Sequence, residues 1–593
     1  MATNKIKRIP YGIADFGRMR RDNMYYVDKT EFIPLLEAAP YYILFIRPRR
    51  FGKSLWLSVL EHYYDVNEKE QFEELFGGTY IGEHPTEGRN SYLVMSFNFS
   101  VVNPDIRFVN ESFDEYGKAV VRNFMRRYER FFDERERQEI LTSSKAESQL
   151  RGIFSYAAGH GLQIYLLIDE YDNFANTILT TVGEQAYRDL THGAGFFRYF
   201  FNLLKGATAG RMGGLARLFI TGVSPITMDD VTSGFNIGRN ISLDAQFNEL
   251  LGFRQDQVRE MLVYYRDAGT LPLDVDACMN TMQMWYNAYR FSRTADTRMF
   301  NSDMILYFIE HVTRERTQPD NLIDQNVRVD YGKLRHLVMV DQRLNGNFSQ
   351  LKQIMETGET VSNVVPSFPL ERLLDRENFI SLLFYFGLLS FDGVEEGVPV
   401  LHIPNLTVRK LMYGYLRDGF RDVDAFRVDL FHFSSLVSKM AYRGEWQAVL
   451  DFMAEEIQNQ TSVRDYLSGE KMIQGFLLAY LNVTNFFLTW SERELGKGFT
   501  DLYLEPFLAR YPDMRFGYLI ELKYIPRNEF SPAKLQEKVQ QAEVQLRKYA
   551  GDERLRDVRQ SVTLKHLVVV YNGWELVYRE ELSEQATPMS LNE

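Results

Sequence analysis

The chain has 593 residues, 45% of them hydrophobic and 14% aromatic, with a formal net charge of -12 and one cysteine, Cys278. That length exceeds a single core, so about three or four domains are expected, and the composition excludes a disordered chain. One cysteine excludes a disulfide framework or a Cys-rich zinc site, and the acidic balance leaves nucleic acid only a local basic groove to bind.

The opening stretch, MATNKIKRIPYGIADFG, has no apolar h-region and does not read as a signal peptide. The longest apolar run, ISLLFYFGLLSF (Ile380 to Phe391), falls short of the ~20 residues a membrane helix needs. A cytoplasmic protein without membrane association is the expectation.

The first element with chemistry is RPRRFGKS, Arg47 to Ser54. It follows the apolar run YYILFI, read as a buried strand, and precedes SLWLSVLEHYYD, read as a helix. Strand, loop, helix is the setting of a phosphate-binding loop, G-x-x-x-x-G-K-[ST], but the first glycine position holds Arg47. Gly52 lets the backbone approach phosphate, Lys53 can reach the β- and γ-phosphates, and Ser54 can bind Mg²⁺. Arg47, Arg50, Phe51, Gly52, Lys53, Ser54 and Leu55 are read together as nucleotide-binding. Arg49 adds positive charge nearby.

The run RRYERFFDERERQE (Arg126 to Glu139) mixes both signs and reads as a solvated helix face. GLQIYLLIDEYDNF places Asp169 and Glu170 at the end of an apolar strand. There Asp169 would hold Mg²⁺ and Glu170 would orient the attacking water. LARLFITGVSPI is a third strand, and Thr221 near its end suits a γ-phosphate sensor. Alternating strands and helices over 41–250 imply a mostly parallel sheet, with ligand at the carboxyl ends of the strands. Arg239 reads either as a surface residue or as an arginine finger in a homo-oligomeric ring.

LLGFRQDQVREMLVYYRDAG reads as a turn and an amphipathic helix, WYNAYRF as core packing, and MFNSDMILYFIEHV as a helix capped by Asn301 or Ser302. ENFISLLFYFGLLSFDGVEEGVPVLHIPNLTVRKLMYGYL reads helix, strand, turn, strand, helix, an order like that of a winged helix.

The second chemical site lies in GKGFTDLYLEPFLARYPDMRFGYLIELKYIP. Asp501 opens one strand. Glu521 and Lys523, two apart on the next, point to one face. Asp, then Glu-x-Lys, is the signature of a PD-(D/E)XK nuclease, in which carboxylates hold a metal and lysine positions water or offsets charge. Glu470, on a preceding amphipathic helix, is a further metal candidate. Gln545 and Tyr549 share a face of a later helix at i, i+4. Lys523, Arg527, Lys534, Lys538, Arg547 and Lys548 could supply the basic groove.

YVDKTEFI, RPRRFGKS, LIDEYDNF, FITGVSPI, LLGFRQDQV, WYNAYRF and MFNSDMI follow in this order. The chain thereby resembles, over nearly its whole length, bacterial AAA-ATPase-like proteins that carry a C-terminal PD-(D/E)XK nuclease domain. In that family the loop commonly has Arg at the first glycine position, so the resemblance implies nucleotide binding. It also implies a supporting role for Glu492. Where the family usually writes Gly-Arg-x-Asp, this chain has Gly498-Phe499-Thr500-Asp501, a departure that bears on activity.

The expected fold is α/β and multidomain. It has a P-loop AAA/STAND-like ATPase core, a helical and winged-helix middle, and a C-terminal restriction-endonuclease-like α/β domain. The expected boundaries are an N-terminal segment at 1–40, the ATPase at 41–250, a lid and winged-helix region at 251–425, a helical linker at 426–465 and the nuclease at 466–593. The function read from this is an ATP-binding or ATP-hydrolysing switch coupled to a metal-dependent nuclease acting on nucleic acid, DNA above all. ATP and Mg²⁺ or Mn²⁺ are its cofactors, and defence or mobile-element biology is its setting. The alternatives are a STAND-like nucleotide sensor whose C-terminal domain only binds a partner, and an ATPase with an inactive nuclease fold.

Overall fold

The computed structural model describes residues 6–582, apart from 183, 193–194, 210–212, 227–236, 328–338, 341–342, 345, 423–427, 461–468 and 496–497. The chain divides into two compact units. The first is Met1–Lys333 with Val361–Val408, and the second is Leu334–Thr360 with Arg409–Glu593.

In the first unit the apolar runs form β1 (Tyr42–Ile46), β2 (Leu93–Asn98), β3 (Ile164–Asp169), β4 (Leu215–Gly222) and β5 (Arg239–Asn240). Their spatial order is β2-β3-β4-β1-β5, and every pair is parallel. A parallel sheet is covered by helices on both faces, which is why β3 is buried at every position and reads as continuous apolar sequence. β4 lies between β1 and β3, so the polar residues ending these three strands stand together at the carboxyl edge.

The stretch Arg126–Glu139 is not one solvated helix. The helix Val109–Arg127 stops, a 3₁₀ turn spans Glu129–Phe131, and a new helix begins at Glu134. Tyr128 is fully buried and its hydroxyl donates to Asp65 Oδ2 at 2.7 Å. Arg127 pairs with the same carboxylate at 2.5 Å. Charge alternation misled here because two of its residues anchor a corner.

The middle helices are Gln255–Asp267, Val275–Tyr286 and Ser302–Glu315. Asn301 is the cap of the last, its Oδ1 accepting from Met304 N at 3.2 Å. Trp285, Tyr286, Tyr289 and Phe291 are buried, as core packing requires. Two short strands, β6 (Met339–Val340) and β7 (Arg343–Leu344), pair antiparallel, and β8 (Glu359–Val361) follows. The helix Arg376–Tyr385, the antiparallel hairpin β9 (Ser390–Glu395) and β10 (Val398–His402), and the helix Leu406–Asp422 reproduce the expected order.

The second unit carries β11 (Phe487–Leu495), β12 (Gly498–Pro506), β13 (Phe516–Ile525), β14 (Thr563–Asn572) and β15 (Glu575–Glu581), adjacent in chain order. Only β13 and β14 are parallel. A parallel pair needs a long crossover, and the helix Pro532–Ala550 supplies it. Ser531 Oγ caps that helix from Lys534 N at 3.1 Å, with Pro532 in its first turn. Tyr503, Leu519, Leu546, Tyr549, Val568 and Val570 pack into one apolar cluster beneath it.

Candidate functional site

The phosphate-loop elements converge at the carboxyl ends of β1, β3 and β4. Gly52 takes φ 97° as the helix Lys53–Tyr64 begins, a conformation that favours glycine. Ser54 Oγ donates to Asp169 Oδ2 at 2.6 Å, and Asp169 Oδ1 accepts from Glu170 N at 3.0 Å. Burial raises the pKa of both Asp169 and Glu170. Glu170 holds a left-handed φ of 49°, which is costly for a residue with a side chain. Thr221 is buried on β4 between the two other strands, and among the described residues its Oγ1 has no hydrogen-bond partner.

Lys53 Nζ donates to the carbonyls of Arg47 at 3.0 Å and Pro48 at 2.9 Å. The ammonium is buried, and burial pushes its pKa down to about 8. Two loop carbonyls thus hold the ammonium inside the loop.

Arg47 behaves differently from the sequence expectation. Its guanidinium is turned under the loop, donating to the carbonyls of Ile46 at 3.0 Å, Ser242 at 2.6 Å and Phe247 at 2.9 Å. It is sandwiched between the rings of Phe45 and Phe291, 4.2 and 4.3 Å from their centroids. Burial pushes its pKa down to about 9. A side chain 1% exposed and engaged with three carbonyls is not placed to grip phosphate. Arg47 instead fixes the path by which the chain leaves β1.

Arg50, Phe51 and Leu55 do line a cavity of about 360 Å³ beside the loop, together with Glu170. Phe51 stands edge-on to Tyr289 and Phe291, at 4.9 and 5.3 Å. Gly252 donates its N–H to Phe51 O at 3.2 Å, and a Cβ there would lie 2.8 Å from Phe300 O. The Arg50 carbonyl, at a residue with φ 68°, accepts from Ser302 Oγ and Asp303 N, both at 3.3 Å. The far wall of the cavity includes Ile13, Tyr25 and Lys29, which the sequence reading did not single out as site residues. The available signal was a lysine inside YVDKTEFI. Its ammonium is buried against Glu249 O and Gln257 Oε1, both at 3.0 Å, and burial lowers its pKa to about 8. Arg239 is exposed at the edge strand and pairs with Asp244 Oδ2 at 3.1 Å.

The second unit assembles Asp501, Glu521 and Lys523. The β12–β13 ladder pairs Tyr503 with Leu519 and Leu502 with Ile520, and Asp501 and Glu521 follow just past its end. Lys523 Nζ lies 2.8 Å from Glu521 Oε1, 3.4 Å from Asp501 Oδ2 and 3.2 Å from Leu522 O. Leu522 N donates to Asp501 Oδ2 at 2.8 Å, and Gln474 donates to the Asp501 carbonyl. Three oxygens therefore converge on one cationic centre. Glu521 is fully buried, and among the described residues its Oε2 has no hydrogen-bond partner. Burial, reinforced by Asp501, pushes the Glu521 pKa up to about 8, and burial raises that of Asp501. For Lys523, burial alone would lower the pKa, but the charges of Asp501 and Glu521 outweigh it and the net shift is upward.

The supporting residues sort unevenly. Tyr549 OH donates to Phe499 O at 2.7 Å and so pins the start of β12. Gln545 lines a groove of about 620 Å³ with Lys523, Lys538 and Glu470. Burial raises the Glu470 pKa. Among the described residues no three His, Cys, Asp or Glu side chains form a metal-holding group, so Glu470 does not complete a preformed three-carboxylate site. The side chain of Glu492 lies outside the described residues. Of the basic residues, Lys534 pairs with Glu537 at 3.1 Å and Arg527 with Glu575 at 2.8 Å. Among the described residues no helix is long and apolar enough to cross a membrane.

Comparison with known proteins agrees with this division. Residues 10–232 match the AAA-ATPase-like family model, described as a predicted AAA-ATPase, and residues 468–581 match a model of the PD-(D/E)XK nuclease superfamily. The chain thus carries the two domains its motifs led us to expect. A relative from Azotobacter chroococcum mcd 1, described as an uncharacterized protein in the vnfD 5' region, is 28% identical over 332 residues. That match covers 54% of this chain and 56% of the relative, so the chain spans little more than half of that protein's length. Among solved structures, the Aeropyrum pernix ORC2 protein in its ADPNP–ADP complexes is 10% identical, covering 66% of this chain and 92% of its own, with a TM-score of 0.31. The ORC1 protein of the same organism in complex with DNA is 11% identical, covering 65% and 89%, with a TM-score of 0.25. At those scores the likeness carries no argument.

Proposed function

We propose that the chain is an ATP-dependent switch coupled to a metal-dependent nuclease. The observation that carries the reading is the convergence of Asp501 Oδ2, Glu521 Oε1 and Leu522 O on the Lys523 ammonium. Three oxygens arranged around a monovalent cation suit a divalent one. Asp501 and Glu521 would hold Mg²⁺ or Mn²⁺, which when bound supplies Lewis acidity toward the scissile phosphate. Asp501 is itself oriented by the Leu522 N–H. Lys523, displaced from the oxygens, would stay on the same face to orient water or offset the charge that develops on phosphate.

In the first unit, Ser54 and Asp169 would hold Mg²⁺ and Lys53 would bind the β- and γ-phosphates. Glu170 would orient water, and Thr221 would sense the terminal phosphate from the strand between them. The base and ribose would occupy the cavity between Phe51 and the 10–29 segment. ATP would set the arrangement of a lid and winged-helix region at 251–425, a linker at 426–465 and the nuclease at 466–593. The 1–40 segment would be part of the ATPase at 41–250. One buried cysteine suits a cytoplasmic setting.

The test is cleavage of single- and double-stranded DNA and RNA by the full chain with Mn²⁺, with and without ATP. Metal-dependent cutting that Glu521→Gln abolishes supports the reading. A folded protein that cuts nothing sinks it. The closed Lys523–Glu521 ion pair favours the second reading, a nucleotide sensor whose C-terminal domain only binds a partner.

A further inference from the structure

We propose that Asp172 is a positioning residue for ATP hydrolysis. Its carboxylate clasps the turn after β4 to the turn after β3, so that Glu170 and Thr221 keep one fixed relation. The inference rests on the ATPase reading above and adds to it a residue that the loop motifs leave out.

Asp172 stands just before the helix Asn173–Thr181, at its N-cap. An aspartate there ordinarily accepts from the first turn of its own helix. This side chain makes no capping hydrogen bond. It reaches across to the chain leaving β4 instead. Its Oδ1 accepts from Val223 N at 3.2 Å, and its Oδ2 accepts from Ser224 N and Asn176 Nδ2, both at 2.7 Å. The carboxylate and Ser224 are buried, so an N–H that lost this acceptor would have no water to replace it.

Tyr171 fastens the same two turns. Its N–H donates to Thr221 O at 3.2 Å, and its buried hydroxyl donates to Ser224 O. Gly222 lies so close to both residues that a Cβ there would fall 2.5 Å from Asp172 Oδ1, and nearer still to the Tyr171 ring. Glycine at this position is what lets the two turns meet.

The clasp holds a conformation that does not hold itself. Glu170 sits at a left-handed φ of 49°, and such a backbone persists only where the surroundings over-determine it. Here the Glu170 carbonyl accepts from Asn173 N at 3.0 Å, and the two residues between them are tied to the end of β4. In the proposed ATPase, Glu170 and Thr221 act on the same terminal phosphate. A misplacement of about 1 Å between such groups costs on the order of 10²-fold in rate. The hydrogen bonds that hold Lys53 and Ser54 run to Arg47, Pro48 and Asp169 and do not pass through the clasp. Nucleotide binding and hydrolysis are therefore separable at Asp172.

The experiment measures steady-state ATP hydrolysis by the full chain with Mg²⁺, together with the ATP-induced rise in melting temperature. Asp172→Asn keeps the side chain's size but replaces one acceptor oxygen by an amide N–H₂. Expected is a kcat lower by roughly tenfold to 10²-fold, with KM for ATP within about twofold of wild type. The ATP-induced thermal shift should persist. Tyr171→Phe removes a hydrogen bond from the clasp and no charge, and should lower kcat by about threefold at unchanged KM. In a Glu170→Gln background, Asp172→Asn should cost little more, because the clasp acts through Glu170. Wild-type kcat in Asp172→Asn, or the full loss repeated in the Glu170→Gln background, would overturn the inference and leave the ATPase reading intact. A raised KM at unchanged kcat, or a lost thermal shift in a folded variant, would overturn it in the same way. Should Asp172→Asn fail to fold, Tyr171→Phe decides, and wild-type kcat there overturns the inference. Wild type that hydrolyses no ATP would overturn the hydrolytic reading and this inference with it.

Discussion

Ser54 and Asp169, 115 positions apart in the chain, are joined by a hydrogen bond of 2.6 Å from Ser54 Oγ to Asp169 Oδ2. The parallel sheet brings them together, because β1 and β3 both end at the same edge. In the function proposed above, these two oxygens would share one hard cation.

ATP with Mg²⁺ is therefore expected to raise the melting temperature, as any ligand of the native state does. Lys53→Ala should remove the shift. Asp169→Asn should remove its Mg²⁺ dependence. Thermal unfolding of wild type at millimolar ATP is the check, and a flat response would sink the site.

Arg47→Gly would restore the usual first glycine of the loop motif. It is nevertheless expected to destabilise the first unit, by about 3 kcal/mol or more, because three buried carbonyls lose their donor and two rings lose their filling. The ATP-induced shift should weaken as the loop loses its anchor. Denaturant unfolding of the variant measures this, and stability equal to wild type would refute the buried clasp.

Glu521 has its folded-state pKa raised to about 8, by burial first and Asp501 second. The folded state therefore keeps a proton that the unfolded chain releases at an ordinary glutamate pKa. Stability should fall as pH rises from about 4.3 to about 8. In EDTA the melting temperature should drop across that window, and Glu521→Gln should flatten the drop. Stabilisation by Mn²⁺ should grow toward the upper end, since the carboxylates must lose their protons to bind it. A metal-induced shift independent of pH would argue against this pair as ligands.

Lys523→Ala should keep Mn²⁺-induced stabilisation and lose cleavage rate by roughly 10²-fold. Asp501→Ala should lose both. The double variant should be no slower than Asp501→Ala alone, because the two residues serve one step. Additive losses in single-turnover cleavage would show that they act separately.

Local sequence was enough to determine the strand–loop–helix around Lys53, the strand-end acids Asp169 and Glu170, and the Asp501, Glu521 and Lys523 set. Each is a short pattern whose geometry follows from strand and helix periodicity. The helix start at Asn301 or Ser302 is legible for the same reason, and the structure gives the cap to Asn301. Only the tertiary structure decided that Arg47 faces the core, since its three carbonyl partners and Phe291 come from distant segments. It also decided that Lys29 lines the cavity beside the loop and that Arg126–Glu139 turns a corner on buried Tyr128. A charged side chain's direction depends on which partners the fold brings within hydrogen-bond reach, and residue spacing along one segment carries no record of those.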